Sequence, residues 1–250
     1  MDIATIKKQA KAVIAARRKP ILIAGALFVA LSLLLFYLSA RLLLPPTAQL
    51  QELSQRMAER ILAGDSSGAM KIYDSIQPST MESLVSRLLG YLQAVVGFGF
   101  LLLLFRAMRG DEVYPSMLMD GFGRFFKVLL LEILLGLILS LCFWALIVPG
   151  FIATYSYGMA RYLLIANPES GVLDCLRGSR LRMRGYRMDL FRLDLSFLGW
   201  ALLLLVPIVN IAAAVWILPY WKCSRLLFCE AVCASQPAPP RPESGEDRFL

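Results

Sequence analysis

The sequence predicts an all-α, polytopic transmembrane helical bundle of about six spans, with amphipathic interfacial helices. Hydrophobic residues make up 58% of the 250 positions and charged residues 18%, against roughly half and a quarter in ordinary soluble domains. Apolar residues also gather in uninterrupted runs of about 20, the length needed to cross a hydrocarbon core. Lysine and arginine collect between those runs. Together these features exclude a soluble enzyme, a disordered chain and a disulfide scaffold. The formal charge of +8 then points to cytoplasmic loops and anionic inner-leaflet lipid, not to nucleic acid.

Residues 1–19 form a basic cytoplasmic N-terminus, with Lys7, Lys8, Lys11, Arg17, Arg18 and Lys19 against Asp2 alone. The first span covers 20–44. Its apolar stretch outruns the roughly 7–15 residues of a signal-peptide core, so it reads as an uncleaved helix, ended by Pro45-Pro46. An external segment follows at 45–85. Leu50, Leu53, Met57 and Ile61 recur there at helical spacing, and Gly64 to Gly68 stops that helix. A lid over a substrate path and a helix lying on the outer bilayer surface both fit this segment. Ser79 and Glu82 have the spacing of a capping box ahead of the second span, 86–106.

Glu132 and Arg161 bracket a long uncharged stretch that Pro149-Gly150 interrupts. This reads as a tight hairpin of two spans, 126–148 and 151–166. The segment 167–189 reads as one basic cytoplasmic helix. Val172, Leu176, Ser179, Met183, Tyr186 and Leu190 form a mostly apolar stripe on it, and Arg177, Arg180, Arg184 and Arg187 form a second stripe about 100° away. Such a helix suits the inner membrane surface, with arginines on lipid phosphates. Gly178 and Gly185 offer close packing against a span. Residues 195–221 are uncharged and support either one tilted span or a hairpin turning at Pro207–Asn210; the hairpin, with spans 190–207 and 211–232, is adopted. The proline-rich stretch 234–250 reads as a disordered cytoplasmic tail.

Lysine and arginine resist translocation. With six spans and the N-terminus inside, eighteen of them fall on inside segments and five, Arg41, Arg56, Arg60, Lys71 and Arg87, outside. This places both termini in the cytoplasm of a cytoplasmic (inner) membrane.

Intramembrane charges are functional candidates. Glu132 lies about 9 Å into its helix and Arg161 about 7.5 Å from the inner end of its own, at 1.5 Å per residue. In an antiparallel hairpin those depths match, so the two are expected to pair, either as a structural ion pair or on a substrate path. The chain has no histidine, which removes imidazole catalysis, HExxH zinc chemistry and His-ligated haem. Cys229 and Cys233 stand one turn apart, but no further ligand type accompanies them. No cofactor or metal is expected, and no enzymatic activity.

Tyr155-Ser-Tyr157-Gly-Met-Ala160, Asn167-Pro168, Ser179 through Gly185, Leu195-Ser-Phe197-Leu-Gly-Trp200 and Pro219-Tyr220 resemble the domain-of-unknown-function 975 family of bacterial integral membrane proteins, over about Ile147–Val232. The resemblance implies a multi-span membrane protein and assigns no catalytic residue or ligand. Two functions are expected to compete. One is a non-enzymatic membrane protein organising anionic inner-leaflet lipid, or a membrane-protein partner, through Arg177, Arg180, Arg184 and Arg187. The other is a small transporter or transporter subunit with Glu132 and Arg161 on its path.

Overall fold

A computed structural model describes residues 2–43, 47–202 and 210–236. The described chain is helical throughout and contains no strand. It begins with α1 (Ile3–Ala16), whose N-cap Asp2 side chain accepts from the Ala4 N–H at 3.0 Å. Ile6, Ala10 and Ile14 recur at every fourth position and are buried. They form the inner face of a helix that is otherwise basic.

Three elements are long and apolar enough to cross a membrane: α2 (Arg18–Leu43), α5 (Thr80–Arg109), and the run Pro115–Ala145 that ends in α6 (Phe125–Ala145). Each leaves large apolar side chains outward: Leu34 and Phe36 on α2, Leu88 on α5, and Leu137, Leu141 and Trp144 on α6. In water such a surface would be an aggregation liability; in lipid it is the solvated face. The predicted spans 20–44, 86–106 and 126–148 fall on these helices. The capping box at the start of α5 is formed, with Ser79 and Glu82 exchanging bonds to each other's N–H groups. Gly110, at φ 91°, closes its other end, a conformation that favours glycine.

Between α2 and α5 the segment predicted to be external folds as α3 (Thr47–Leu62) and α4 (Ser66–Ile76). Gly64 turns the chain at φ 78°, and Asp65 caps α4 through the Gly68 N–H. Ile61, Leu62, Met70 and Tyr73 remain exposed.

The stretch Pro115–Arg124 is a 3₁₀ segment laid against α5. Its approach is so close that a Cβ on Gly99 would sit 2.0 Å from the Leu118 carbonyl oxygen, and one on Gly121 would sit 2.6 Å from the Val95 carbonyl oxygen. No other residue type fits either position with the backbones this close.

The predicted hairpin forms, but its turn is displaced. Helix α6 ends at Ala145, Leu146 is extended, and α7 (Ile147–Ser156) starts at once. Pro149-Gly150 is therefore inside the first turn of α7 and is not the connection. Proline is tolerated there because the first N–H groups of a helix have no intrahelical partner. Gly150 instead lets α7 close on Phe143, whose ring lies 2.4 Å from where a Cβ would be.

The predicted single helix 151–166 is also interrupted. Tyr157, Gly158 and Met159 separate α7 from α8 (Ala160–Ala166). The predicted helix 167–189 is two helices, α9 (Val172–Arg182) and α10 (Arg187–Leu195), because Gly185 takes φ 93°. The stripe on it points inward: Val172, Leu176, Ser179, Met183 and Leu190 are all buried. Its apolar face packs on protein, not on lipid. Gly178 does pack closely, on Leu163 of α8, whereas Gly185 faces open space and serves the turn.

Helix α11 (Leu198–Leu202) follows, and the predicted turn at 207 lies outside the described residues. Helix α12 (Asn210–Ser235) carries Pro219 in its interior. It packs along α1, α2, α5 and α10. Gly25 of α2 meets it at Pro219, where a Cβ would stand 3.2 Å from the proline ring and 3.4 Å from the Val215 carbonyl oxygen. That carbonyl is the acceptor the proline cannot use. The tail beyond 236 also lies outside the described residues.

Candidate functional site

The α6–α8 antiparallel arrangement brings Glu132 and Arg161 together. Arg161 Nε donates to Glu132 Oε1 at 2.6 Å and Nη2 donates to Oε2 at 2.8 Å. This is the bidentate geometry that makes arginine–carboxylate pairs strong and directional. The Glu132 side chain is 11% exposed and that of Arg161 is 46%, so the carboxylate is sunk in the bundle and the guanidinium keeps an open edge.

That edge faces a cavity of about 140 Å³ lined by Arg161, Tyr162 and Gly158 from the α7–α8 region, Leu101 of α5, and Trp221, Lys222, Arg225, Leu226 and Cys229 of α12. The sequence pattern does not connect Lys222 or Arg225 to Arg161. No spacing in the sequence could, because the two groups lie on helices about 60 residues apart. Lys222 Nζ sits 5.4 Å from the centre of the Phe28 ring. Arg225 stacks on Trp221 at 5.3 Å, and its Nε is 3.8 Å from Asp194 Oδ1. Asp194 is already held by the Trp221 indole, which donates at 2.8 Å.

The break between α7 and α8 creates the wall of this cavity, and Ser179 stabilises the break. Its Oγ donates to the Ser156 carbonyl at 2.9 Å and accepts from the Met159 N–H at 3.2 Å. Both groups would otherwise be orphaned at a buried helix interruption. Gly158 lies within the break. A Cβ there would be 3.2 Å from Arg225 Nη2 and 3.1 Å from Leu190, so the absent side chain is what admits the guanidinium.

The four arginines do not form one stripe. Arg177, Arg180 and Arg184 are exposed, with no ion pair or hydrogen bond to a described residue, while Arg187 begins α10 and is half-buried. The α9–α10 turn is pinned to the end of α12: Arg182 Nη1 donates to Cys233 Sγ at 3.0 Å, and Gln236 Nε2 donates to the Arg182 carbonyl at 3.1 Å. Cys175 is buried on α9, and burial raises its thiol above the ordinary value, with Asp174 adding to the shift. It is a packing residue, not a nucleophile. Among the described residues no group of carboxylates and thiols is placed to hold a metal ion.

These features define the class: an all-helical, membrane-type protein with an ion pair and a basic cavity between its helices. Residues 143–236 match the model of a family described as protein of unknown function (DUF975), the family the sequence resembles over Ile147–Val232. The matched segment runs from the end of α6 through α12. It therefore contains Ser179, Arg161, Lys222 and Arg225 but not Glu132. No curated protein and no solved structure matches the chain.

Proposed function

We propose that this is a non-enzymatic, multi-pass protein of a bacterial cytoplasmic membrane that gathers anionic lipid at the inner leaflet through Arg177, Arg180 and Arg184. The observation that carries this is the division of labour on α9 and the turn after it. The apolar face of α9 is consumed by packing against the bundle, while Arg177 and Arg180 on the helix and Arg184 in the turn are held outward with no ion pair or hydrogen bond to a described residue. Guanidinium groups so presented meet lipid phosphates.

The six-span arrangement with both termini inside is part of this reading. Arg17 donates to the Gly110 carbonyl, and Lys127 Nζ donates to the Pro168 carbonyl at 2.7 Å. Those bonds tie the basic start of α2 to the end of α5, and the basic start of α6 to the chain just beyond α8. They support one cytoplasmic end for all four.

The test is lipid co-purification in mild detergent. Each arginine near an anionic surface contributes about 1 kcal/mol, so replacing all three by glutamine removes about 3 kcal/mol, roughly a hundredfold in headgroup affinity. Bound phosphatidylglycerol per protein falls accordingly. An unchanged lipid complement in the triple variant overturns the reading.

A second reading, a small transporter with Glu132 and Arg161 on its path, draws support from the cavity that Arg161 lines. Flux of a small anion in proteoliposomes, lost on Arg161→Gln, would establish it in place of the first.

A further inference from the structure

The cavity between α5, the α7–α8 break and α12 holds a charge imbalance. Arg161, Lys222 and Arg225 bring three positive charges to it. Glu132 and Asp194 supply two negative ones, and both are already engaged: Glu132 bidentately by Arg161, Asp194 by Arg225 at 3.8 Å and by the Trp221 indole. One positive charge is left over. Lys222 Nζ sits 5.4 Å from the centre of the Phe28 ring, forms no ion pair with a described residue, and shares the cavity with Arg161 and Arg225. Neither Lys222 nor Arg225 makes a hydrogen bond to a described residue. Three cationic side chains converging without enough carboxylate repel one another, and an anion placed between them relieves that repulsion.

We propose that this cavity binds one phosphate-type oxyanion of net charge −1, carried by a phospholipid headgroup or by free phosphate. The volume, about 140 Å³, equals roughly four to five waters at 30 Å³ each, enough for one tetrahedral oxyanion. Arginine supplies planar paired donors and lysine a compact charge, the combination that recognises phosphate. Leu101, Tyr162 and Leu226 give the same cavity apolar walls, against which the glycerol and first methylenes of a lipid would pack. This site is separate from the exposed Arg177, Arg180 and Arg184 and does not depend on their role.

The protein is delipidated in maltoside detergent, and its thermal midpoint and Trp221-sensitive fluorescence are titrated. The probes are inorganic phosphate, dioctanoyl phosphatidylglycerol and phosphate-free dioctanoylglycerol. The expected result is saturable binding of phosphate or phosphatidylglycerol and none of dioctanoylglycerol. Saturation by phosphatidylglycerol alone identifies the headgroup as the source, and saturation by inorganic phosphate identifies the free ion. Lys222→Gln and Arg225→Gln each weaken binding at least tenfold, and Lys222→Arg retains it. Leu101→Phe fills the space without touching a charge and also weakens binding, so it decides the matter if the charge variants do not fold. Absence of saturation by either phosphate probe overturns the proposal. So does equal affinity in Lys222→Gln and Arg225→Gln, or full affinity in Leu101→Phe.

Discussion

Ser179 donates to the Ser156 carbonyl across the interruption between α7 and α8, from a helix some twenty residues further along the chain. The same oxygen accepts from Met159. A single buried hydroxyl thus closes both sides of a broken helix, and the break is what lets Arg225 approach Gly158.

Replacing Ser179 by alanine leaves a buried carbonyl and a buried N–H without partners. The expected loss is about 1–3 kcal/mol, read as a lowered thermal midpoint in detergent. Ser75→Ala, which removes an exposed hydroxyl bonded within its own helix, changes the midpoint little.

Glu132→Gln and Arg161→Gln each destabilise. A fully buried pair broken on one side costs about 3–5 kcal/mol. With Arg161 46% exposed, about 2 kcal/mol is expected here. The double variant recovers part of the loss. A double-mutant cycle with no coupling energy would show that the pair does not form in the membrane.

Glycine positions divide sharply. Gly99→Ala and Gly121→Ala push a methyl group into backbone, and both are expected to abolish monodisperse expression. Gly90→Ala meets nothing within 4 Å and gains up to about 1 kcal/mol from helix propensity. Fluorescence-detected size-exclusion of tagged variants separates the outcomes.

The caps of α4 and α5 are expected to be acid-sensitive. The Gly68 N–H, then Arg60 and Ser67, hold the Asp65 carboxyl below its ordinary range; the Ser79 N–H and hydroxyl do the same for Glu82. A depressed carboxyl stabilises the folded form above its unfolded pKa, and that contribution disappears as pH falls through the folded value. Hydrogen exchange in peptides spanning 60–70 and 78–84, corrected for intrinsic rates, should therefore accelerate below about pH 4. Asp65→Asn should remove the pH dependence of the first peptide. A pH-independent wild type would show that the caps contribute nothing.

Ser67→Cys, exposed in the first turn of α4, should react with an impermeant maleimide added outside intact cells. Arg177→Cys should react only after lysis. The reverse pattern would invert the topology.

Span placement was legible because hydrocarbon imposes a length and excludes charge locally, so Ile21–Ala40 and Leu88–Phe105 announce themselves without any neighbour. The Glu132–Arg161 encounter was legible for a related reason: depth along two arms of a fold-back is a matter of counting, although the second arm is two short helices, α7 and α8. The break at Gly158, the split at Gly185 and the 3₁₀ stretch against α5 were not, because each depends on a partner distant in sequence.

Composition and periodicity thus decided the helical class and the placement of the three helices long and apolar enough to cross a membrane, both consequences of free energies that each segment meets on its own. Which stripe faces protein, which glycine admits a foreign backbone and which cations share one cavity were decided only by tertiary packing. Those outcomes turn on contacts of a few ångströms between helices that no local pattern encodes.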